Sequence, residues 1–79
     1  MAAITVLYFA SLRDTTGVDS ESIDHDGDLR ALYVRLQAKH GFVLPIDRLR
    51  VAMRGAFARW DDVPDDGAEV AFIPPVSGG

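Results

Sequence analysis

The carboxylate of Gly79 is the group in this chain best suited to become a reactive acyl centre. It ends the run Ile73-Pro74-Pro75-Val76-Ser77-Gly78-Gly79. Two residues without Cβ let a main chain pass through a narrow channel and present its own carboxylate inside another protein's active site. Pro74 and Pro75 each remove an N–H donor and fix φ near the polyproline value, so a strand entering them stops and the chain leaves as a stiff segment. Six largely extended residues, 74–79, at about 3.3 Å each, carry the carboxylate roughly 20 Å from the body. The competing reading is a frayed terminus. With glycine at about 7% of residues, two glycines in the last two positions arise by chance in roughly 0.5% of chains, which weakens that reading.

The other chemistry-bearing residues form no such device. There is no cysteine, hence no disulfide, thiol nucleophile or Cys-based metal site. His25 and His40 lack metal-ligand spacing and read as a loop histidine and a helix C-terminal histidine. Asp61-Asp62 and Asp65-Asp66 lack the ligand pattern and closing Glu of a calcium loop, so they read as a solvated turn, and no metal site is expected. No Ser/His/Asp arrangement has supporting context, and the glycines match neither a phosphate loop nor a dinucleotide fingerprint. Arg48, Arg50, Arg54 and Arg59 form either a solvated basic face or a docking surface for an acidic partner. Eight basic against twelve acidic residues give a net charge of −4, opposite to the footprint of a nucleic-acid binder. The only apolar N-terminal run, residues 1–10, has neither a basic start nor membrane-spanning length, and the expectation is a soluble, untargeted, cytoplasmic protein.

Positioning the tail requires a fold. Seventy-nine residues, 48% of them hydrophobic and 25% charged, suffice for one small globular core. The expected division is a domain over residues 1–73 and a projecting tail over residues 74–79. Residues 3–9 alternate Ile4, Val6 and Tyr8 against Thr5, Leu7 and Phe9, as an interior strand does. Residues 10–16 read as a loop excursion of at most one helical turn, with Leu12 inward and Gly17 closing it. Residues 18–26 are polar enough for an edge strand.

The clearest helix follows. Asp28 is a suitable N-cap, Leu29, Leu32, Tyr33 and Leu36 make one stripe, and Gly41 suits the left-handed position that ends it. Phe42 folds back onto the last turn, and Ile46 anchors a crossing loop around Pro45. A strand over residues 49–53, a short strand over residues 57–60 and a last strand opening at Ala68 or Glu69 complete the order. The near-continuous apolar runs at both ends of the chain predict that first and last strands lie side by side, buried on both faces. Phe72 and Val70 share one side of the last strand and Ala71 and Ile73 the other, one set packing under the helix and the other facing a partner. Phe72 is the candidate interface anchor, although a core place is the commoner fate of such a residue. The whole is an α+β roll, a mixed sheet with one main helix packed on one face.

The chain resembles the small, sulfur-carrying subunits of molybdopterin synthase, of the MoaD/ThiS type within the β-grasp (ubiquitin-like) proteins. The resemblance rests on Val6-Leu7-Tyr8-Phe9-Ala10-Ser11-Leu12-Arg13, on Val51-Ala52-Met53, on Val63-Pro64-Asp65-Asp66-Gly67, and above all on the stretch from Asp66 through Val70-Ala71-Phe72-Ile73-Pro74-Pro75-Val76-Ser77-Gly78-Gly79. It implies that Gly79 is adenylated with ATP by a ubiquitin-activating-type enzyme and converted by a sulfur donor to a thiocarboxylate. The tail then enters the large catalytic subunit, where sulfur passes to precursor Z to build the molybdopterin dithiolene. On this reading Gly79 carries sulfur, Gly78 gives clearance, and Pro74, Pro75, Val76 and Ser77 hold the tail extended. Arg50, Arg54, Arg59 and Phe72 are candidate partner contacts, and the carrier binds no cofactor of its own. Where the family usually places Ala-Val-Asn before its next turn, this chain has Ala52-Met53-Arg54, so any contact of that asparagine is in question. The alternatives are a related carrier, for thiamine, a tungsten cofactor or another thio-metabolite, and a ubiquitin-like module that binds partners non-covalently.

Overall fold

In the computed structural model, which describes residues 2–75, strand β1 (Ala2–Tyr8) runs through the sheet interior with Ile4, Val6 and Tyr8 buried. It is followed by helix α1 (Ala10–Thr16), edge strand β2 (Ser20–His25), helix α2 (Leu29–His40), a 3₁₀ turn (Ile46–Arg48), and strands β3 (Arg50–Met53), β4 (Ala56–Phe57) and β5 (Glu69–Ile73). The sheet order is β2-β1-β5-β3-β4. β5 therefore occupies the middle, parallel to β1 and antiparallel to β3. The expected α+β roll with first and last strands adjacent is the architecture found. None of the helices among the described residues is long and apolar enough to cross a membrane.

Helix α2 is held at both ends by groups the sequence supplies. The Asp28 carboxylate accepts the Ala31 N–H at 2.8 Å, while the Leu29 and Arg30 N–H groups donate to the carbonyls of Asp62 and Trp60 at 2.9 and 3.0 Å. The β4–β5 loop thus supplies acceptors that a helix N-terminus otherwise lacks. Gly41, at φ 77°, closes the other end through its N–H to the Gln37 carbonyl. The stripe Leu29, Leu32, Tyr33 and Leu36 is fully buried against Val6, Val51, Val70 and Phe72. Phe42 returns over the last turn and stacks on Tyr33, ring centroids 5.8 Å apart.

Three expectations change. Residues 10–16 form a seven-residue helix and not a loop excursion, although Leu12 is inward and Gly17 closes it as expected. The short strand is Ala56–Phe57, and Trp60 lies beyond it, packed parallel to Phe72 at 5.9 Å. The two terminal strands are not buried on both faces. One helix covers one face only, so Leu7, Ala71 and Ile73, on the other, are half-buried.

Candidate functional site at the root of the tail

Strand pairing carries β5 to the tail. Tyr8 stands opposite Phe72 in the parallel β1–β5 ladder, and Arg50 stands opposite Ile73 in the antiparallel β3–β5 ladder. The last residues of the central strand are therefore held from both sides. Pro74 is buried and Pro75 exposed, so the chain turns from core to solvent across one dipeptide. Two shallow clefts flank it. Arg48, Leu49, Arg50 and Ile73 line one with the prolines, and Phe9, Ala10, Ser11 and Ile73 line the other. Val76, Ser77, Gly78 and Gly79, to which the chemistry is ascribed, lie outside the described residues.

On the far side of β1 from β5 lies a polar cluster that sequence reasoning did not find. The Glu21 carboxylate accepts hydrogen bonds from the Tyr8 hydroxyl, from Lys39 Nζ at 2.8 Å and from His40 Nε2 at 2.7 Å. Burial opposes ionisation of Glu21, but the hydrogen bonds from Lys39, Tyr8 and His40 outweigh it and hold the carboxyl down at about 2. Burial, reinforced by the bond to Glu21 and by its charge, pushes the Tyr8 phenol up. The cluster ties β1, β2 and the C-terminal end of α2 together one strand away from Phe72. It is built for position, since three donors converge on its carboxylate.

The candidate interface residues separate. Phe72 is 0% exposed, in contact range of Tyr33 at 5.2 Å and of Trp60, so its side chain belongs to the core and is not available as a surface anchor. The reason is its place on the helix side of β5, in phase with Val70. Arg54 and Arg59 are each close to an aspartate, Asp65 at 3.6 Å and Asp61 at 3.4 Å, while the Arg50 guanidinium lies 5.8 Å over the Phe57 ring. Two of the four arginines are thus beside aspartates, while Arg48 and Arg50 line one cleft. Arg54 has φ 54° and Gly55 φ 83°, which make the two-residue β3–β4 connection a hairpin turn with both central residues left-handed. Asparagine tolerates that conformation far better than arginine. At this position the backbone alone favours asparagine over the Arg54 present here.

What sequence reasoning only half identified is the outer sheet face. Leu7 pairs with Ala71, Ala71 with Ala52, and Ala52 with Phe57, so one row crosses four strands on the side away from α2. Phe57 is 72% exposed and Phe9 45% exposed. Ile73, on the same face as Ala71, joins this row to the tail root. The period-2 signal was present, but only the placement of one helix tells which phase is covered. His25 is buried rather than in a solvated loop, its Nε2 3.1 Å from the Asp28 carbonyl. His40, at the end of α2 as expected, serves Glu21. Among the described residues no group of three or more His, Cys, Asp or Glu could hold a metal ion.

A mixed sheet grasping one main helix, with its central strand running out through Pro-Pro, defines a β-grasp protein of ubiquitin-like type. Within that class the chain belongs to the ThiS family, whose model matches residues 6–79. It is 34% identical to the molybdopterin synthase sulfur carrier subunit of Escherichia coli, over 96% of this chain and 99% of that one. It is 32% identical to the human protein of the same name, over 100% of this chain and 97% of that one. Among solved structures, SAMP1 from Haloferax volcanii superposes with a TM-score of 0.81 at 27% identity, covering 99% of this chain and 100% of that one.

Proposed function

We propose that this chain is the sulfur carrier of molybdenum cofactor biosynthesis, acting as the small subunit of a molybdopterin synthase. The observation that carries the reading is end-to-end similarity to relatives bearing that name, reaching through a Gly78-Gly79 terminus. The Gly79 carboxylate attacks the α-phosphate of ATP on a ubiquitin-activating-type enzyme, and pyrophosphate leaves. A carboxylate is a poor electrophile, and the acyl adenylate gives it a good leaving group. A sulfur nucleophile then attacks the acyl carbon, AMP departs, and the terminus becomes a thiocarboxylate. The tail delivers this sulfur to precursor Z in the large subunit, toward the dithiolene. Acids and bases for these steps belong to the partner enzymes.

The physical features that support the reading are the centrally anchored β5, the Pro74-Pro75 exit and the exposed apolar row beside it. A tail that enters a channel needs a body that docks at the channel mouth. Half-buried Leu7, Ala71 and Ile73, with exposed Phe57, supply that surface, and the large subunit is its proposed occupant. The tail chemistry is tested with a chain lacking Gly79 and one extended by a single residue, each assayed in a reconstituted synthase. Both should keep the wild-type melting temperature and lose sulfur transfer; transfer by the extended chain would refute the tail mechanism.

A further inference from the structure

Arg50 breaks the outer sheet face in a way that constrains whatever covers it. The β3–β5 register places it opposite Ile73, on the same side as Ala52, Ala71 and Phe57, with its guanidinium 5.8 Å over the exposed Phe57 ring. A cation in that position is attracted by the ring face and held there. Arg13, Arg54 and Arg59 each have an aspartate within 3.6 Å. Among the described residues neither Arg50 nor its neighbour Arg48 has a carboxylate in ion-pair reach, although Asp47 lines the same cleft. In a chain with twelve acidic and eight basic residues, two such cations side by side at the tail root depart from the average charge.

Covering the apolar row removes water from Arg50. A guanidinium dehydrated without a counter-charge is an uncompensated buried charge, which is strongly unfavourable. We infer that Arg50 is a specificity determinant of docking: the large subunit that receives this tail sets a carboxylate against Arg50, in the cleft formed with Arg48, and surfaces lacking that carboxylate are rejected. The planar fork suits a bidentate carboxylate, and rejection through an unpaired buried charge discriminates more sharply than extra apolar contact. The inference rests on the outer face being the docking face, as proposed above.

The test is calorimetric binding of the full-length chain to its large subunit over a series of sodium chloride concentrations. Wild type is compared with Arg50→Gln, Arg50→Glu, Arg48→Gln, and with Arg30→Gln, which makes the same charge change on an exposed position of α2. Arg50→Gln should weaken binding at least about tenfold and flatten its salt dependence, Arg50→Glu should weaken it further, Arg48→Gln should weaken it less than Arg50→Gln, and Arg30→Gln should leave it unchanged. All variants should melt with the wild type, since these side chains are on exposed residues. Arg50→Gln binding within twofold of wild type, with the same salt dependence, overturns the inference alone. A Phe57→Ser chain that binds as tightly as wild type, or a wild type that does not bind, overturns the docking reading and the inference with it.

Discussion

Glu21 shows how one side chain can tie two strands and a helix end together. Its carboxyl is held at about 2, below its usual 4.5, so its stabilising contribution is complete above pH 4.5 and is lost as pH falls from there toward 2. Glu21→Gln should cost about 1–3 kcal/mol at neutral pH, because Lys39 loses its ion-pair partner and His40 its charged acceptor. Urea titrations at pH 7 and pH 3 check both statements: the gap between wild type and variant should narrow at the lower pH. Arg54 is the converse case, a residue kept at a conformation it disfavours. Arg54→Asn should stabilise the fold by about 0.5–1 kcal/mol, measured by the same titration, because relief of left-handed strain exceeds the loss of an exposed pair with Asp65. Neither feature was legible in the sequence. Glu21 and Lys39 are far apart in the chain, and although Gly55 marks the turn after β3, an arginine before it does not announce a left-handed residue as asparagine would.

At the scale of elements, legibility followed the number of independent signals. Helix α2 had a cap, a stripe and a closing glycine, and all three proved to be in use. Asp28→Ala should cost about 1 kcal/mol, read from chemical denaturation, since the Ala31 N–H loses its acceptor. Helix α1 had one large apolar residue, Leu12, in seven, which gives no period to read, and it begins at Ala10 with φ 51°, a conformation no propensity suggests. Strand β4 was misplaced because its boundary is set by the Arg54-Gly55 turn, while Trp60 looked like a strand residue and is a core residue of the following loop. The alternation along β5 was readable, but its phase relative to the helix was not, and Phe72 was offered to the surface when Ile73 is the residue there. Phe72→Ala should therefore act through the core, costing about 3–5 kcal/mol in a thermal or chemical melt.

At the scale of the molecule, the described residues form one body whose central strand leads toward the group proposed to react. The body places its last strand in the sheet centre, where pairing on both sides fixes it, and leaves one sheet face uncovered beside the exit. The adjacency of first and last strands and the single covering helix were both accessible from pattern, because a small core allows few arrangements of these elements. The uncovered face was less so, since isolated apolar alternation does not say which side a partner completes. In the proposed function the Gly79 carboxylate is converted to a thiocarboxylate. The direct measurement is the intact mass of the chain, with fragmentation, after incubation with ATP, the adenylating enzyme and a sulfur donor. The expected result is replacement of one oxygen by sulfur, localised to Gly79 and absent when ATP is omitted. An unchanged mass, in a mixture that sulfurates an established carrier, would contradict it.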